Sequence, residues 1–315
     1  MDARQLRYFV TVAQLGSFSA ASRRLHIAQP ALSRHVKALE EKLGVTLLQR
    51  GARGVRLTGE GEQLLGHGSQ VLEQLDLLPR MVGPSRRIVS GRVVIGLPTS
   101  ASAVLAVPLL RAAVDRYPQV RVHLIESLSG YLQEWIESGR LDLAVVYDPS
   151  PHSGIRLDPI LHEDLWFVGA RGALPAGVET IALREVPRYP LLLPAATHAT
   201  RRLIEGVALA HGVRINLIAE VDSLTVQKDL VATGAAFTIL PRGSIHADLV
   251  AGRLQAARIV EPTVGRTVTL AASLLRGDNQ ACNAMARLVL ETGRRLVSDG
   301  VWHGRDVRDV AVDAI

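Results

Sequence analysis

Apolar positions in the first part of the chain recur with the 3.6-residue period of amphipathic helices, three times in succession. They are Leu6, Phe9, Val10 and Ala13 in the first predicted helix, Ala20, Ala21 and Leu25 in the second, and Leu32, Val36, Leu39 and Leu43 in the third. Ser19 is a residue type that caps helix N-termini and would start the second helix. Pro30 fits only the first turn of the third helix, and Gly44 ends it. The pattern therefore predicts three short helices that share an apolar core.

Only residues 26–28 separate the second and third helices, so the pair has the form of a helix-turn-helix. In such a motif the second helix fits the major groove of DNA. The residues predicted to meet DNA are Gln29, Pro30, Ser33, Arg34 and Lys37. Glutamine can pair with adenine, arginine with guanine, and serine with a base or a phosphate, while Lys37 would contact a phosphate. A solvated surface helix would carry the same residue types, so the types alone leave both interpretations open.

A glycine-rich segment follows the third helix. The pattern predicts two short strands, at residues 45–48 and 55–57, with glycines at the tip between them. Arg50, Arg53 and Arg56 would then lie on a wing, beside a phosphate or in a minor groove. The glycines lack the strand–loop–helix order of a nucleotide-binding loop, which argues against that function.

A long linker helix is predicted next, capped by Thr58 and running over about residues 59–78. Its apolar residues recur with the three–four spacing of a coiled-coil seam. The seam comprises Leu64, Gly68, Val71, Leu75, Leu78 and Val82, and Leu65 and Leu72 widen it. We expect this helix to pair with a second copy of the chain and form a homodimer; packing against its own domain is the alternative. Pro79 and residues 83–87 are expected to end the helix and form a hinge.

From residue 91 the pattern alternates between strands and helices. Strands are predicted at 92–97, 120–126 and 141–147, with helices at 103–117 and 130–138 between them. This βαβαβ order requires a parallel sheet covered on both faces.

A second α/β set follows the first. Strands at 155–162 and 164–170 have no helix between them, as if the chain crosses to another sheet. That sheet is predicted from strands 191–193, 216–221 and 237–240 with helices 200–211 and 224–233, and strand 267–274 and helix 280–297 return to the first sheet. Residues beyond 299 are expected to form a frayed extension.

The order of residues at the front of the chain resembles the DNA-binding domain of LysR-type transcriptional regulators. The resemblance is carried by Leu6-Arg7-Tyr8-Phe9, Gly16-Ser17-Phe18, Ala20-Ala21, Leu25-His26, the run from Gln29 to Arg34, Leu39-Glu40, Leu43-Gly44-Val45 and Leu57-Thr58. It implies a winged helix-turn-helix that binds double-stranded DNA, a dimerising linker helix and a C-terminal domain that senses a small molecule. It also implies a homotetramer built from two dimers. Leu48, where the family usually has Phe, is a departure that concerns packing more than contact.

The two predicted lobes resemble periplasmic binding proteins, the architecture of the sensing domain in this family. The predicted fold is therefore α+β and multidomain. It divides into a winged helix-turn-helix domain (1–58), a linker helix and hinge (59–90), an effector-binding domain (91–300) and an extension (301–315), with lobe I at about 91–162 and 266–300 and lobe II at about 163–265. The sensing half also resembles the nitrogen assimilation control subgroup, through Gly96-Leu97-Pro98, Val107-Pro108-Leu109-Leu110 and the run from Pro194 to Arg201.

Small ligands bind between such lobes, where strands end and helices begin. The predicted effector-binding residues are Thr99, Ser100, Ser102, Ser129 and Tyr147 on lobe I, and Thr197, His198, Thr200, Arg201 and Asp222 on lobe II. Hydroxyls and free helix N–H groups favour an anion, and Arg201 would clamp an acidic effector. Each hydroxyl is equally explained as a helix cap, and Arg201 as a surface ion pair. Ala236, where the family often has Gly, would narrow the cleft and favour a small effector.

Charge is distributed unevenly along the chain. The whole sequence has 36 basic and 30 acidic residues, a net charge of +6. Residues 1–60 contain ten basic and four acidic residues, which is also +6, so the positive excess lies at the predicted DNA-binding end. The composition predicts sizeable cores, since 48% of residues are hydrophobic. The absence of a basic-then-apolar leader and of a membrane-length apolar run favours a cytoplasmic protein without a membrane partner.

The chemistry-bearing motifs of common enzyme classes are missing from the sequence. It has no HExxH, no G-x-S-x-G and a single cysteine, Cys282. We therefore predict a non-enzymatic, effector-responsive transcription regulator without a metal or cofactor. One alternative is a cytoplasmic small-molecule-binding protein or enzyme built on the C-terminal α/β domain, with residues 162–164 as its nearest polar cluster. Another is a nucleoid-type architectural protein, for which the cleft domain would be superfluous.

Overall fold

The computed structural model describes residues 2–51, 54–82, 89–175, 177–275 and 279–307. The chain divides into two compact units, Met1–Ile88 and Val89–Ile315. In the described ranges, none of the helices has the length and apolarity needed to cross a lipid bilayer.

The first unit contains four helices and a two-stranded hairpin. They are α1 (Ala3–Leu15), α2 (Phe18–Leu25), α3 (Gln29–Leu43), β1 (Leu48–Gly51), β2 (Gly54–Leu57) and α4 (Gly59–Val82). Their core includes Leu6 and Phe9 of α1 with Leu32 and Leu39 of α3, and Val55 and Leu57 of β2 pack against it. The winged helix-turn-helix expected from the periodicity is therefore the observed fold.

Two helix boundaries differ from the sequence-based expectations. The N-cap of α2 is Ser17, whose side chain accepts the N–H of Ala20 at 3.3 Å, rather than Ser19. The backbone of α4 continues through Pro79 to Val82, so Pro79 does not end it. At the end of α3, Gly44 adopts the left-handed conformation (φ 71°) as expected, but Leu43 is exposed rather than buried.

One face of α4 packs within the first unit and another does not. Gly68 lies against Leu6, and Leu72 is buried in the same core. Val71 and Leu75, by contrast, keep 49% and 37% of their surface exposed. The predicted seam is thus divided between an internal face and an exposed one, and the side chains of its last members, Leu78 and Val82, lie outside the described residues.

The second unit is built on one large mixed sheet. Its first strands and helices are β3 (Gly91–Pro98), α5 (Thr99–Arg116), β4 (Val120–Ser127), α6 (Ser129–Glu137), β5 (Leu143–Tyr147) and β6 (Ile155–Ala170). They are followed by β7 (Thr180–Ala182), β8 (Leu191–Leu193), α7 (Ala199–Ala210), β9 (Leu217–Glu220), α8 (Leu224–Ala232), β10 (Phe237–Pro241), α9 (His246–Val250), β11 (Leu254–Val260), β12 (Gly265–Ser273) and α10 (Gln280–Ser298).

The strands follow the order β4-β3-β5-β12-β6-β10-β8-β9, with β11 pairing to β6 and β7. Strand β3 runs parallel to β4 and β5, as predicted, whereas β12 is antiparallel to both β5 and β6. Strand β6 is a single run of 16 residues rather than two strands. Its first part pairs with β12 and its second part with β10 and β11, so one strand carries the chain between the lobes.

Each lobe has its own core. Lobe I consists of β3–β5, β12 and the first part of β6 with α5, α6 and α10; lobe II consists of the remaining elements of the unit. Apolar residues on both faces of the lobe I sheet are buried against its helices, and lobe II repeats this arrangement. Strands β7 and β11 and helix α9 were not expected from the sequence pattern.

Residues 300–305 are a packed part of the second unit rather than a frayed extension. Trp302 has only 1% of its surface exposed and belongs to the lobe I core. The backbones of Arg305 and His162 exchange two hydrogen bonds of 2.8 and 2.9 Å across β6. The chain therefore returns over the crossing strand after α10 ends.

Candidate functional site

The recognition face lies on α3. Its inner side is anchored by Leu32, Val36 and Leu39, all buried in the core. The opposite side exposes Gln29, Pro30, Arg34 and Lys37, with Ser33 half-buried. These five residues are those predicted from the sequence to meet DNA.

Neighbouring side chains contact two of the recognition residues. Ser19 on α2 donates its hydroxyl to the side-chain oxygen of Gln29 at 2.9 Å, which connects the two helices of the motif. Lys37 lies 3.7 Å from Glu41, but both side chains are well exposed. Because exposed pairs of this kind are weak, Lys37 remains able to exchange Glu41 for a phosphate.

The hairpin β1–β2 forms a wing beside this face. Glu40 of α3 accepts the backbone N–H groups of Leu47 and Leu48 at 2.8 and 3.1 Å and so fixes the wing to the recognition helix. Arg56 is exposed on β2. The side chain of Arg50 and all of Arg53 lie outside the described residues. This role of Glu40 was not predicted, although Leu39-Glu40 is part of the resemblance described above.

A narrow cleft separates the lobes of the second unit. It is lined by Pro98, Thr99, Ser100, Pro194, His198, Thr200, Asp222, Leu224, Gln227, Ile239, Leu240 and Pro241. The N-terminal turn of α5 approaches it from lobe I, and those of α7 and α8 from lobe II. Its cavity volume is ≈ 30 Å³, far below the few hundred Å³ typical of ligand pockets. The cleft is therefore nearly closed, and a ligand larger than a few atoms must open it.

The structure brings together half of the predicted effector-binding residues. Thr99, Ser100, His198, Thr200 and Asp222 line the cleft. Tyr147 joins them indirectly, through a hydrogen bond of 2.8 Å between its hydroxyl and that of Ser100.

Four other predicted residues do not line the cleft. Ser102 lies on α5 and Thr197 in the turn before α7, and neither is among the residues that line the cleft. Ser129 is buried at the start of α6, where its hydroxyl has no hydrogen-bond partner among the described residues. The fourth is Arg201.

Arg201 is directed into the fold rather than into the cleft. Its guanidinium lies 2.6 Å from Glu205 and 3.8 Å from Glu220, and it donates to the carbonyl oxygen of Pro194 at 3.3 Å. It is largely buried in this position. Arg201 therefore ties α7 to β9, and the predicted role as a clamp does not match its geometry.

The arginine at the cleft is Arg266, which the sequence reading did not single out. Its Nη1 donates to the hydroxyl of Thr200 at 2.7 Å and its Nη2 to that of Ser100 at 3.0 Å. The guanidinium also lies over the ring of Tyr147, 3.4 Å from its centroid, in a cation–π contact. One buried cation therefore connects α5 and β5 of lobe I with α7 of lobe II.

The charge of Arg266 is balanced by Glu163 on β6, its cross-strand partner. The Nε and Nη2 atoms lie 2.8 and 2.7 Å from Oε1 of Glu163, and both residues are only 2% exposed. Burial alone would lower the pKa of Arg266, but the charge that Tyr147 acquires when it ionises and the charge of Glu163 outweigh it and raise that pKa. Burial also raises the pKa of Tyr147 to about 12. Arg266 is therefore a permanent cation and Tyr147 a neutral phenol.

His198 caps α7 and has a defined tautomer. Its Nδ1 accepts the backbone N–H of Thr200 at 3.2 Å, so in the neutral ring the proton is on Nε2. Burial and the charge of Arg266 lower the pKa of His198, against the opposing effect of Asp222. Asp222 itself accepts the N–H of Ala195 at 2.9 Å. Among the described residues no group of His, Cys, Asp and Glu could hold a metal ion, and the arrangement suits reversible binding of a small polar molecule.

Comparisons with known proteins match both units. Residues 3–62 match the family model described as "Bacterial regulatory helix-turn-helix protein, lysR family", and residues 86–294 match the "LysR substrate binding domain". The nitrogen assimilation regulatory protein nac of Klebsiella aerogenes is 33% identical over 312 residues, covering 99% of this chain and 100% of that protein. The HTH-type transcriptional regulator BbuR of Bordetella bronchiseptica is 32% identical over 306 residues, covering 96% and 94%. The crystal structure of full-length CbnR complexed with its target DNA superimposes with a TM-score of 0.64 at 25% identity, covering 94% of this chain and 99% of that one.

Proposed function

Because the chain belongs to the LysR-type transcriptional regulators, and is thus a DNA-binding regulator with an effector-binding domain, we propose that α3 reads its promoter. The observation that carries this proposal is the exposed polar face of α3 opposite a fully buried apolar one. Arg34 and Gln29 have the side chains that pair with guanine and adenine in the major groove. Pro30, Ser33 and Lys37 complete the contact surface and meet the sugar-phosphate backbone.

The wing adds contacts that do not depend on sequence. The segment that follows the recognition helix contains Arg50, Arg53 and Arg56, which supply part of the positive excess of residues 1–60. Cationic side chains on a wing suit phosphates or a minor groove. Affinity for DNA should therefore fall steeply as salt concentration rises.

The second unit sets when the promoter is bound. The effector is a small molecule that enters the cleft between α5 and α7, and its binding shifts the population of open and closed lobes. The polar residues that line the cleft support this role. The unit has no catalytic task in this proposal.

The regulator works as an oligomer in the cytoplasm. A dimer forms through the exposed apolar face of α4, which includes Val71 and Leu75. Two dimers assemble into a tetramer on the DNA, and the two recognition helices of each dimer enter successive major grooves of a partly palindromic site.

A footprint on the intergenic DNA beside the protein's own gene tests the proposal. We expect wild-type protein to protect a specific site, and a metabolite panel to identify the compound that changes the footprint. Arg34→Ala should lose the site-specific footprint, because one bidentate arginine contributes about tenfold to a hundredfold in affinity. Arg214→Ala, an exposed arginine of the second unit, is the matched control. A footprint that survives Arg34→Ala would contradict the assignment of α3.

A further inference from the structure

Residues 300–305, which we call the C-terminal clasp, contact both lobes. Trp302 packs into the lobe I core and lies beside Gly293 of α10. On lobe II it lies against Gly243, where an added Cβ would stand 3.0 Å from the indole. His303 extends the contact, because its ring meets Trp166 edge-on and accepts a hydrogen bond from Arg242.

The clasp reaches the cleft through a continuous chain of buried polar groups. The indole N–H of Trp302 donates to Oε2 of Glu163 at 2.9 Å. The other carboxylate oxygen, Oε1, accepts from Arg266. Arg266 in turn donates to Ser100 and Thr200, which line the cleft. Each carboxylate oxygen of Glu163 thus has its own donor. Because Trp302 holds Oε2, the position of Oε1 is fixed, and with it the plane of the Arg266 guanidinium.

The orientation of Arg266 decides which way the cleft hydroxyls point. A guanidinium only donates, so Thr200 must accept from it and turn its own proton away. His198 likewise presents a proton at Nε2, because its Nδ1 is used by the cap of α7. Thr200 and His198 therefore offer hydrogens to a ligand, and a ligand that complements them carries acceptor oxygens.

Asp222 limits this preference to neutral acceptors. Its carboxylate lines the same small cavity, and the charge of Arg266 is already balanced by Glu163. A carboxylate on a small ligand would therefore be repelled by Asp222 without an uncompensated cation to hold it.

We propose that Trp302 is a positioning residue of the effector site, which holds Glu163 and through it Arg266, so that the cleft selects a small neutral carboxamide. This inference rests on the proposed function of the cleft as the effector site. It adds a role for the C-terminal clasp and a chemical class for the ligand.

Three probes with three carbon atoms each distinguish the possible ligand classes. They are propionate, its neutral amide propionamide, and the dicarboxylate malonate. Each is titrated into the full-length protein and its affinity is taken from the shift in melting temperature. We expect wild-type protein to bind propionamide about tenfold more tightly than propionate, since a carboxylate in the cleft would meet the charge of Asp222 and find no uncompensated cation. Malonate should bind more weakly than propionate.

Two variants test the positioning role. Trp302→Phe keeps an aromatic ring but removes the donor, and Glu163→Gln keeps one acceptor oxygen but removes the charge that holds Arg266. Both should reduce the ratio of propionamide to propionate affinity towards one, because each loosens the pairing that neutralises Arg266. Trp135→Phe, a substitution in α6 away from the cleft, is the matched control and should leave the ratio unchanged.

The ratio distinguishes positioning from simple packing. A purely structural Trp302 would lower the melting temperature of the ligand-free protein and leave the ratio as in wild type, which would overturn the proposal. Equal binding of propionate and propionamide to wild-type protein, or binding of neither, would overturn the ligand class. If the footprint still depends on Arg34 in any of these cases, the proposed function stands and only this inference fails.

Discussion

Arg266 and Glu163 are an ion pair almost completely removed from water. Taking two charges out of water is costly, and the penalty is offset only while both partners remain. We predict that Arg266→Met lowers the free energy of unfolding by about 3 kcal/mol or more, because it leaves Glu163 with an uncompensated buried charge. Urea denaturation followed by tryptophan fluorescence measures this, since Trp135, Trp166 and Trp302 all lie in the second unit.

The double variant Arg266→Met/Glu163→Gln is the control for this prediction. Replacing the carboxylate by an amide removes the stranded charge, so the double variant should be more stable than Arg266→Met alone. Additive losses from the two substitutions would mean that the pair contributes no coupling energy.

The lowered pKa of His198 predicts how the stability of the second unit depends on pH. Its pKa in the folded protein is lowered from the ordinary value of 6.5, so the unfolded chain takes up the proton first. The stabilisation is therefore present above pH 6.5 and is lost as the pH falls below it. We expect the melting temperature of the second unit to fall as the pH drops below 6.5, and to fall less in His198→Asn, which keeps an N-cap acceptor but does not titrate.

Melting curves at a series of pH values test this prediction. The pKa of His303 is also lowered, by burial and by Arg242, and its contribution is common to both proteins. An identical pH dependence in wild type and His198→Asn would show that the cap histidine is not the group responsible.

Within α4, two glycines have opposite surroundings and should respond oppositely to substitution. A Cβ at Gly61 would clash with the carbonyl oxygen of Leu47 in the backbone next to the wing. At Gly66 nothing lies within 4 Å of an added Cβ. We predict that Gly61→Ala destabilises the first unit by about 1–3 kcal/mol. Gly66→Ala should stabilise it by up to about 1 kcal/mol, since alanine is the better helix former.

Amide hydrogen exchange of the full-length protein measures both changes in peptides from the first unit. Faster exchange in Gly61→Ala should be confined to that unit. If both alanine variants behaved alike, the close approach of α4 to the wing would not be a constraint on the sequence.

Helices and strands whose sequence pattern depends only on neighbouring residues in the chain were predictable from the sequence. The periodicity of Leu32, Val36 and Leu39 depends only on neighbours along α3, and it gave the correct helix and the correct buried face. Strands β7 and β11 lack such a signal, because they pair with each other across residues 180–260. Strand β6 looked like two strands because each part belongs to a different lobe.

The candidate site was predictable in position but not in detail. The carboxyl ends of strands and the starts of helices located Ser100, His198 and Thr200. Arg201 was chosen for its place at the start of α7, but the direction of a side chain depends on partners such as Glu220 that periodicity does not locate. Arg266 was missed because its importance comes from Ser100 and Glu163, which are distant in the chain.

At the scale of the whole molecule, the proposed dimer places a second copy against the exposed face of α4. Val71 and Leu75 lie on one side of this helix while Gly68 and Leu72 are used by the core of their own unit. We predict that Val71→Glu/Leu75→Glu converts the dimer to a monomer in sedimentation equilibrium, since two buried carboxylates would have no partners. The variant should also lose promoter affinity, because a dimer engages two half-sites together and a monomer only one.

Val250→Glu is the matched control for this experiment, because Val250 is a still more exposed valine, in the second unit. It should leave the sedimentation and the footprint unchanged. The tryptophan-monitored melt of the second unit should be the same in all three proteins, since α4 belongs to the first unit. A double variant that still sediments as a dimer would show that the copies associate through another surface, and the expected spacing of half-sites would then have to be derived from that surface instead.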